Sequence, residues 1–354
     1  MSRLKEPFDS QFIKLSNLIV FAASVLLLVV VSFSVALFFA PEIITWISSE
    51  KKTEKPVVSQ ETPSDLWVAP DESLIPLDTH GDEIRYGKDL IVNTSRYLGP
   101  KGTVKSMSNG MNCQNCHLEA GTKPFGNNYS AVASTYPKFR PRSGMVETIE
   151  KRVNDCFERS LNGEALDDDS KEMKAIVAYI RWLGADVPKG VKPNGVGLVE
   201  MAFINRPANP ERGKELFSLK CVECHGANGE GIPNAEGSGW IYPPVWGENS
   251  FNSGAGLFRL SRFAGYIKAN MPFLITVENP VVTDEEAWDI AAYVTSMPRP
   301  KKDLTADWPD IAKKPVDHPF GPFIDDFSEV QHKYGPFKPI IEKQKELMTM
   351  SKGK

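Results

Sequence analysis

Two Cys-x-x-Cys-His pentads, Cys113-Gln114-Asn115-Cys116-His117 and Cys221-Val222-Glu223-Cys224-His225, constrain this chain more than any other feature. The pattern is that of heme c attachment: two thiols form thioethers to the vinyl groups, and the adjacent histidine reaches the iron as proximal ligand. A zinc site made from two Cys-x-x-Cys pairs is the competing chemistry. The histidine directly after each pair, and a segment that directs export to the compartment where heme c is assembled, favour two covalently bound heme c groups.

The surroundings of the pentads repeat. Gly87-Lys88-Asp89-Leu90-Ile91 precedes the first and Gly213-Lys214-Glu215-Leu216-Phe217 the second, and each module closes on a helix-like segment, 171–183 and 284–297. Ile176, Tyr179, Ile180 and Leu183 in one, and Ala287, Ile290, Ala291 and Val294 in the other, recur at helical spacing and are expected core. The expected fold is mainly α: one N-terminal transmembrane helix, two class I cytochrome c-like domains at 76–190 and 205–300, and an extended tail, 301–354. The first module carries an insertion, TSRYLGPKGTVKSMSNG, which reads either as a bland surface connection or as a wall over the first heme. In the tail, His318-Pro319-Phe320-Gly321-Pro322-Phe323 recurs as His332-Lys333-Tyr334-Gly335-Pro336-Phe337. This suits a strap laid over the modules, with structural rather than metal-binding histidines.

No charge interrupts the run between Lys14 and Glu42, and Leu18 to Ala40 as a helix would span roughly 34 Å against a hydrocarbon core of about 30 Å. The run exceeds the apolar core of an ordinary signal peptide and lacks a small-residue cleavage site before Pro41. Arg3, Lys5 and Lys14 precede it, so the positive-inside rule leaves 1–17 cytoplasmic, 18–40 as the membrane anchor and 41–75 as a periplasmic linker. The expected location is a bacterial inner membrane, crossed once, with the catalytic domains in the periplasm. A net charge of −4 argues for neither nucleic-acid binding nor a polyacidic tail, and no nucleic acid is expected as a partner.

Each iron has a sixth position. For the second module the best donor is Met271, followed by Pro272 on a loop before the closing helix; Met297, at the end of that helix, reads as packing. The first module offers Met145 and the fifth cysteine, Cys156. With four cysteines reserved for heme, Cys156 has no disulfide partner and is buried, reactive or bound to iron. A helix from Glu147 to Leu161 would put Arg152, Cys156 and Ser160 on one face, with Arg140, Arg142 and Arg159 close in sequence. Cationic neighbours favour a thiolate, which ligates ferric iron strongly.

NCQNCHLEAG, FRPRSG, RVNDCFERSLNG, KCVECHG, ANMPF and QHKYGPF together resemble the diheme thiosulfate dehydrogenases, the TsdA family, from about Ile84 to Phe337. The resemblance implies interconversion of two thiosulfates and tetrathionate at a first heme ligated by His117 and Cys156. It implies that Arg142, Arg152 and Ser160 line the catalytic site with Cys156. It also implies a second heme, ligated by His225 and Met271, that passes electrons to an external carrier such as a cytochrome c. Asn270 stands where some relatives carry a lysine. A non-catalytic, membrane-anchored electron-transfer cytochrome and a SoxA-like sulfur-oxidation cytochrome are the alternatives.

Overall fold

The structure is a computed structural model that describes residues 16–32 and 65–352. Two compact units divide the chain, 1–64 and 65–354. In the first, 16–32 is helical with its apolar side chains exposed. Of the expected anchor, 33–40 lies outside the described residues, as do 1–15 and most of the expected linker, 41–64. Among the described residues no helix is long and apolar enough to cross a membrane.

The second unit is mainly helical and contains both expected modules. In the first, α1 (Thr79–Val92) and α3 (Lys171–Leu183) cross, and the hairpin β1 (Lys138–Arg140) and β2 (Met145–Glu147) leads into α2 (Ile149–Arg159). In the second, α4 (Pro210–Lys220) crosses α6 (Asp284–Ser296), and α5 (Leu260–Asn270) packs on α6. A short hairpin, β3 (Ile232–Pro233) and β4 (Trp240–Tyr242), follows the second pentad.

Glycine makes both crossings possible. A Cβ on Gly87 would lie 1.9 Å from the Ala175 carbonyl oxygen, and one on Gly213 would lie 1.9 Å from that of Asp289. No side chain fits there, so the paired Gly-Lys segments mark the same helix contact in each module. The stripes on the closing helices are core, as expected: Ile176, Tyr179, Ile180 and Leu183 are buried in one cluster, and Ala287, Ile290, Ala291 and Val294 in the other.

The insertion of the first module is a wall between modules rather than a surface connection. It begins as a short helix, Thr94–Leu98, and continues as a loop in which Asn109 donates to the Ser250 carbonyl at 3.1 Å. Gly110 and Gly239 pack it against the second module, with Trp240 and Ser95 as their respective neighbours.

The tail is a strap that ends in two helices, α7 (Glu329–Tyr334) and α8 (Phe337–Lys352). Ser253 donates to the Pro300 carbonyl at 3.0 Å, the Trp308 N–H donates to the Arg142 carbonyl at 2.7 Å, and Arg259 Nε donates to Asp317 at 3.0 Å. Both tail histidines are structural. His332 bridges the Val316 carbonyl (2.7 Å) and Asp325 (2.9 Å) and stacks on Phe323, while His318 is buried beside Trp308.

Candidate active site

Each pentad presets its histidine. His117 Nδ1 lies 2.6 Å from the Asn127 carbonyl, and His225 Nδ1 lies 2.9 Å from that of Pro243. A carbonyl only accepts, so Nδ1 holds the proton and Nε2 keeps its lone pair. Burial pushes His117 down to about 4 and also lowers His225, which keeps both rings neutral. Burial likewise pushes the Cys113 thiol up to about 11 and that of Cys116 to about 12. Two thiols and one imidazole with Nε2 free fit a heme c at each pentad. The alternative zinc cluster is not assembled: among the described residues no three metal-binding side chains come together.

Thr94 ties the first pentad to α1, accepting from the Cys113 N–H at 3.0 Å and donating to the Leu90 carbonyl at 2.7 Å. Tyr129 stacks on His117, 4.5 Å between centroids.

Helix α2 supplies the opposite wall. The expected helix from Glu147 begins two residues later, at Ile149, because Met145–Glu147 pairs as β2 and Thr148 caps the helix by accepting from the Lys151 N–H at 3.2 Å. Met145, half exposed on that strand, is left outside the core. Cys156, on α2, lies within electrostatic reach of Cys113, Cys116, Tyr129 and Tyr136. The same sulfur is the foremost reason that the Arg152 guanidinium is held above its ordinary pKa, outweighing burial.

The arginines divide by partner. Arg142 donates twice to Asp307 of the strap, at 2.9 and 2.7 Å, and Arg159 forks onto the same carboxylate at 2.9 and 3.1 Å. Arg140 has the buried Glu147 carboxylate at 3.8 Å. The side chain of Arg152 makes no hydrogen bond or ion pair with any described residue. Ser160 caps the C-terminal end of α2, its backbone N–H donating to the Cys156 carbonyl at 2.8 Å.

In the second module, Met271 terminates α5 and packs against the core cluster that also contains Trp246 and Trp288. Helix α5 reaches back to the first pentad: Tyr266 donates to the Asn115 carbonyl at 2.8 Å, and Asn270 donates to that of Phe125 at 3.0 Å.

The family model for the SoxA/TsdA cytochrome c domain matches residues 103–188, and that for cytochrome c matches 210–298. A thiosulfate dehydrogenase of Psychrobacter arcticus is 42% identical over 242 residues, covering 68% of this chain and 71% of its own. The chain belongs to the thiosulfate dehydrogenase family. A second member, from Allochromatium vinosum, is 35% identical over 68% of this chain and 87% of its own. The solved thiosulfate dehydrogenase (TsdBA) of Marichromatium purpuratum superimposes with a TM-score of 0.61 at 29% identity, covering 66% of this chain and half of that one. Both family matches fall on the helical modules described above, so this member has two cytochrome c domains, each a heme c-binding unit.

Two side chains at the site, Asp307 and Asn252, carry no sequence signal. Asp307, which grips Arg142 and Arg159, lies in a stretch of tail without a motif. Asn252 donates to the Glu158 carbonyl at 2.8 Å and, through its backbone N–H, to that of Arg159 at 3.0 Å, closing the end of α2. Asn270, notable in the sequence only as a departure from relatives, is fully buried and joins the two modules.

Proposed function

We propose that this protein interconverts two thiosulfates and tetrathionate at the first module and exchanges electrons with an external carrier, such as a cytochrome c, through the second. In this reading Cys113, Cys116, Cys221 and Cys224 hold two covalent heme c groups. His117 and Cys156 would hold the iron in the first module, and His225 and Met271 in the second. Heme supplies one-electron redox chemistry at iron.

What supports this reading is that Cys156 lies within electrostatic reach of the cysteines of the first pentad and of Arg152, whose side chain has no hydrogen bond or ion pair to a described residue. In the oxidative direction one S–S bond forms between the sulfane sulfurs of two thiosulfates and two electrons leave; no proton is released. Bringing two dianions together multiplies a unit repulsion of about 4 kcal/mol at 4 Å by four, to an upper bound of about 16 kcal/mol. Arg152 offsets part of it and offers forked donors to sulfonate oxygens. Arg142, oriented by Asp307, adds a second permanent cation, and Ser160 offers a hydroxyl one turn beyond Cys156.

In the same reading, 18–40 anchors the chain in a bacterial inner membrane and sends the modules to the periplasm. Recovery of the mature protein in the alkali-washed membrane fraction is the expected result, and recovery in the soluble periplasm would overturn the anchor.

The decisive assay is thiosulfate-dependent reduction of an artificial one-electron acceptor by the full-length protein carrying both hemes, with tetrathionate-dependent oxidation as its reverse. Turnover in at least one direction is expected. A fully hemylated protein inert in both would be an electron carrier instead.

A further inference from the structure

Arg299 is a deeply set guanidinium with no carboxylate partner among the described residues. It donates to the Val294 carbonyl at 2.7 Å and to those of Val245 and Phe251 at 3.3 Å each, and it lies over the rings of Phe251 (4.3 Å) and Phe258 (5.1 Å). Its Nε–H is buried without an acceptor. Burial alone pushes Arg299 down to about 9. A second cation, Lys333, lies 5.7 Å from the centroid of the same Phe258 ring and 5.0 Å from that of Tyr334. Lys333 likewise has no hydrogen bond or ion pair to a described residue, and burial, then Arg299, lowers its pKa.

Two cations that share an aromatic ring, repel each other and face no acid require an anion. The site adjoins the second pentad. Val245, which accepts from Arg299, follows by two residues Pro243, whose carbonyl sets His225. We propose that Arg299 and Lys333 form the anion site that receives a propionate carboxylate of the second heme, with the strap contributing the Lys333 half. The recurrence His332-Lys333-Tyr334-Gly335-Pro336-Phe337 then has a purpose: His332 and Phe337 are buried anchors that fix the lysine between them. The proposal rests on the heme c reading, not on the thiosulfate chemistry.

A cation beside a heme carboxylate favours the reduced iron, which carries one positive charge fewer. Redox titration of the full-length hemylated protein, each heme followed by its own ferric EPR signal, tests this. In Arg299→Gln the ferric-to-ferrous ratio of the second heme at the wild-type midpoint is expected to rise about tenfold, a downward shift of about 59 mV. Lys333→Gln shifts the same heme in the same direction by less, Arg299→Lys recovers part of the loss, and the first midpoint stays in place. If Arg299→Gln does not fold, Lys333→Gln carries the test. An unchanged second midpoint in a folded, doubly hemylated variant overturns the proposal. So does a wild-type midpoint that moves with added millimolar sulfate at constant ionic strength, because the site would then be open to a free oxyanion. Loss of the heme stain in wild-type protein would instead refute the heme reading beneath it.

Discussion

The side-chain amide of Asn252 donates to the Glu158 carbonyl at 2.8 Å, so a loop of the second module closes the helix that carries Cys156. The last carbonyls of a helix have no partner within it, and Asn252 satisfies two of them from a fully buried position. Asn252→Ala is expected to cost about 1–3 kcal/mol, read as a lower denaturant midpoint. It should also broaden the thiolate-type ferric EPR signal of the first heme, because the Cys156 helix loses its outer support. An unaltered midpoint and signal would show that the cap does not hold this helix.

Arg152 and Arg142 should fail in different ways. The Arg152 side chain has no hydrogen bond or ion pair to a described residue, so Arg152→Gln should leave stability nearly intact while kcat/KM for thiosulfate falls roughly 10- to 100-fold. Arg142→Gln removes two bonds to Asp307 and should lower stability by about 1–3 kcal/mol as well as activity. Wild-type kinetics in Arg152→Gln would remove it from the anion site. In Cys156→Ala the thiolate-type low-spin signal should vanish, and its persistence would sink the ligand assignment.

The pentads, the closing helices and the Cys156 face were legible because each is local: ligand spacing, a period of 3.6 and the residues at i, i+4 and i+8 sit within one turn or one helix. Gly87 and Gly213 were legible as paired landmarks, although their purpose, letting a neighbouring carbonyl approach, appears only once the helices cross. Asp307 is separated from Arg142 by 165 residues and Asn252 from Glu158 by 94, so no pattern in the chain joins them. The sequence therefore locates an arginine-rich site but does not reveal which arginines the strap orients. The expected membrane span falls partly on residues outside those described.

Helix α5 links Met271 to the first pentad. Asn270 is buried next to Met271 and donates to Phe125, while Tyr266 donates to Asn115 between the first heme cysteines. Met271→Ala should abolish the sulfur-to-iron charge-transfer band at the red end of the spectrum, and retention of that band would exclude Met271 as ligand. Asn270→Ala and Tyr266→Phe should each keep the band yet lose about 1–2 kcal/mol of stability. A band lost in Asn270→Ala would mean that this residue also holds the methionine on iron.

Acid should weaken the strap in two separable steps. Burial pushes His318 from its usual 6.5 down to about 4, against the Phe320 carbonyl, with Lys314, Arg142 and Arg259 acting in the same direction as burial. Between those two values the unfolded chain takes up a proton that the folded chain does not, so folding stability falls as pH drops from 6.5 towards 4. For this one group the fall amounts to about 3 kcal/mol at most. His318→Gln should flatten the decline of the denaturant midpoint across that window. Asp307 and Asp317 act lower. Burial would raise both carboxyls, but Arg159 and Arg142 for one, and Arg259 and Ser261 for the other, outweigh it and hold them below the usual 3.8. Their contribution is present above 3.8 and is lost as pH falls through the lower folded values, a loss that His318→Gln leaves untouched. Equal slopes for wild type and His318→Gln between pH 6.5 and 4 would show that His318 titrates alike in the folded and unfolded chain.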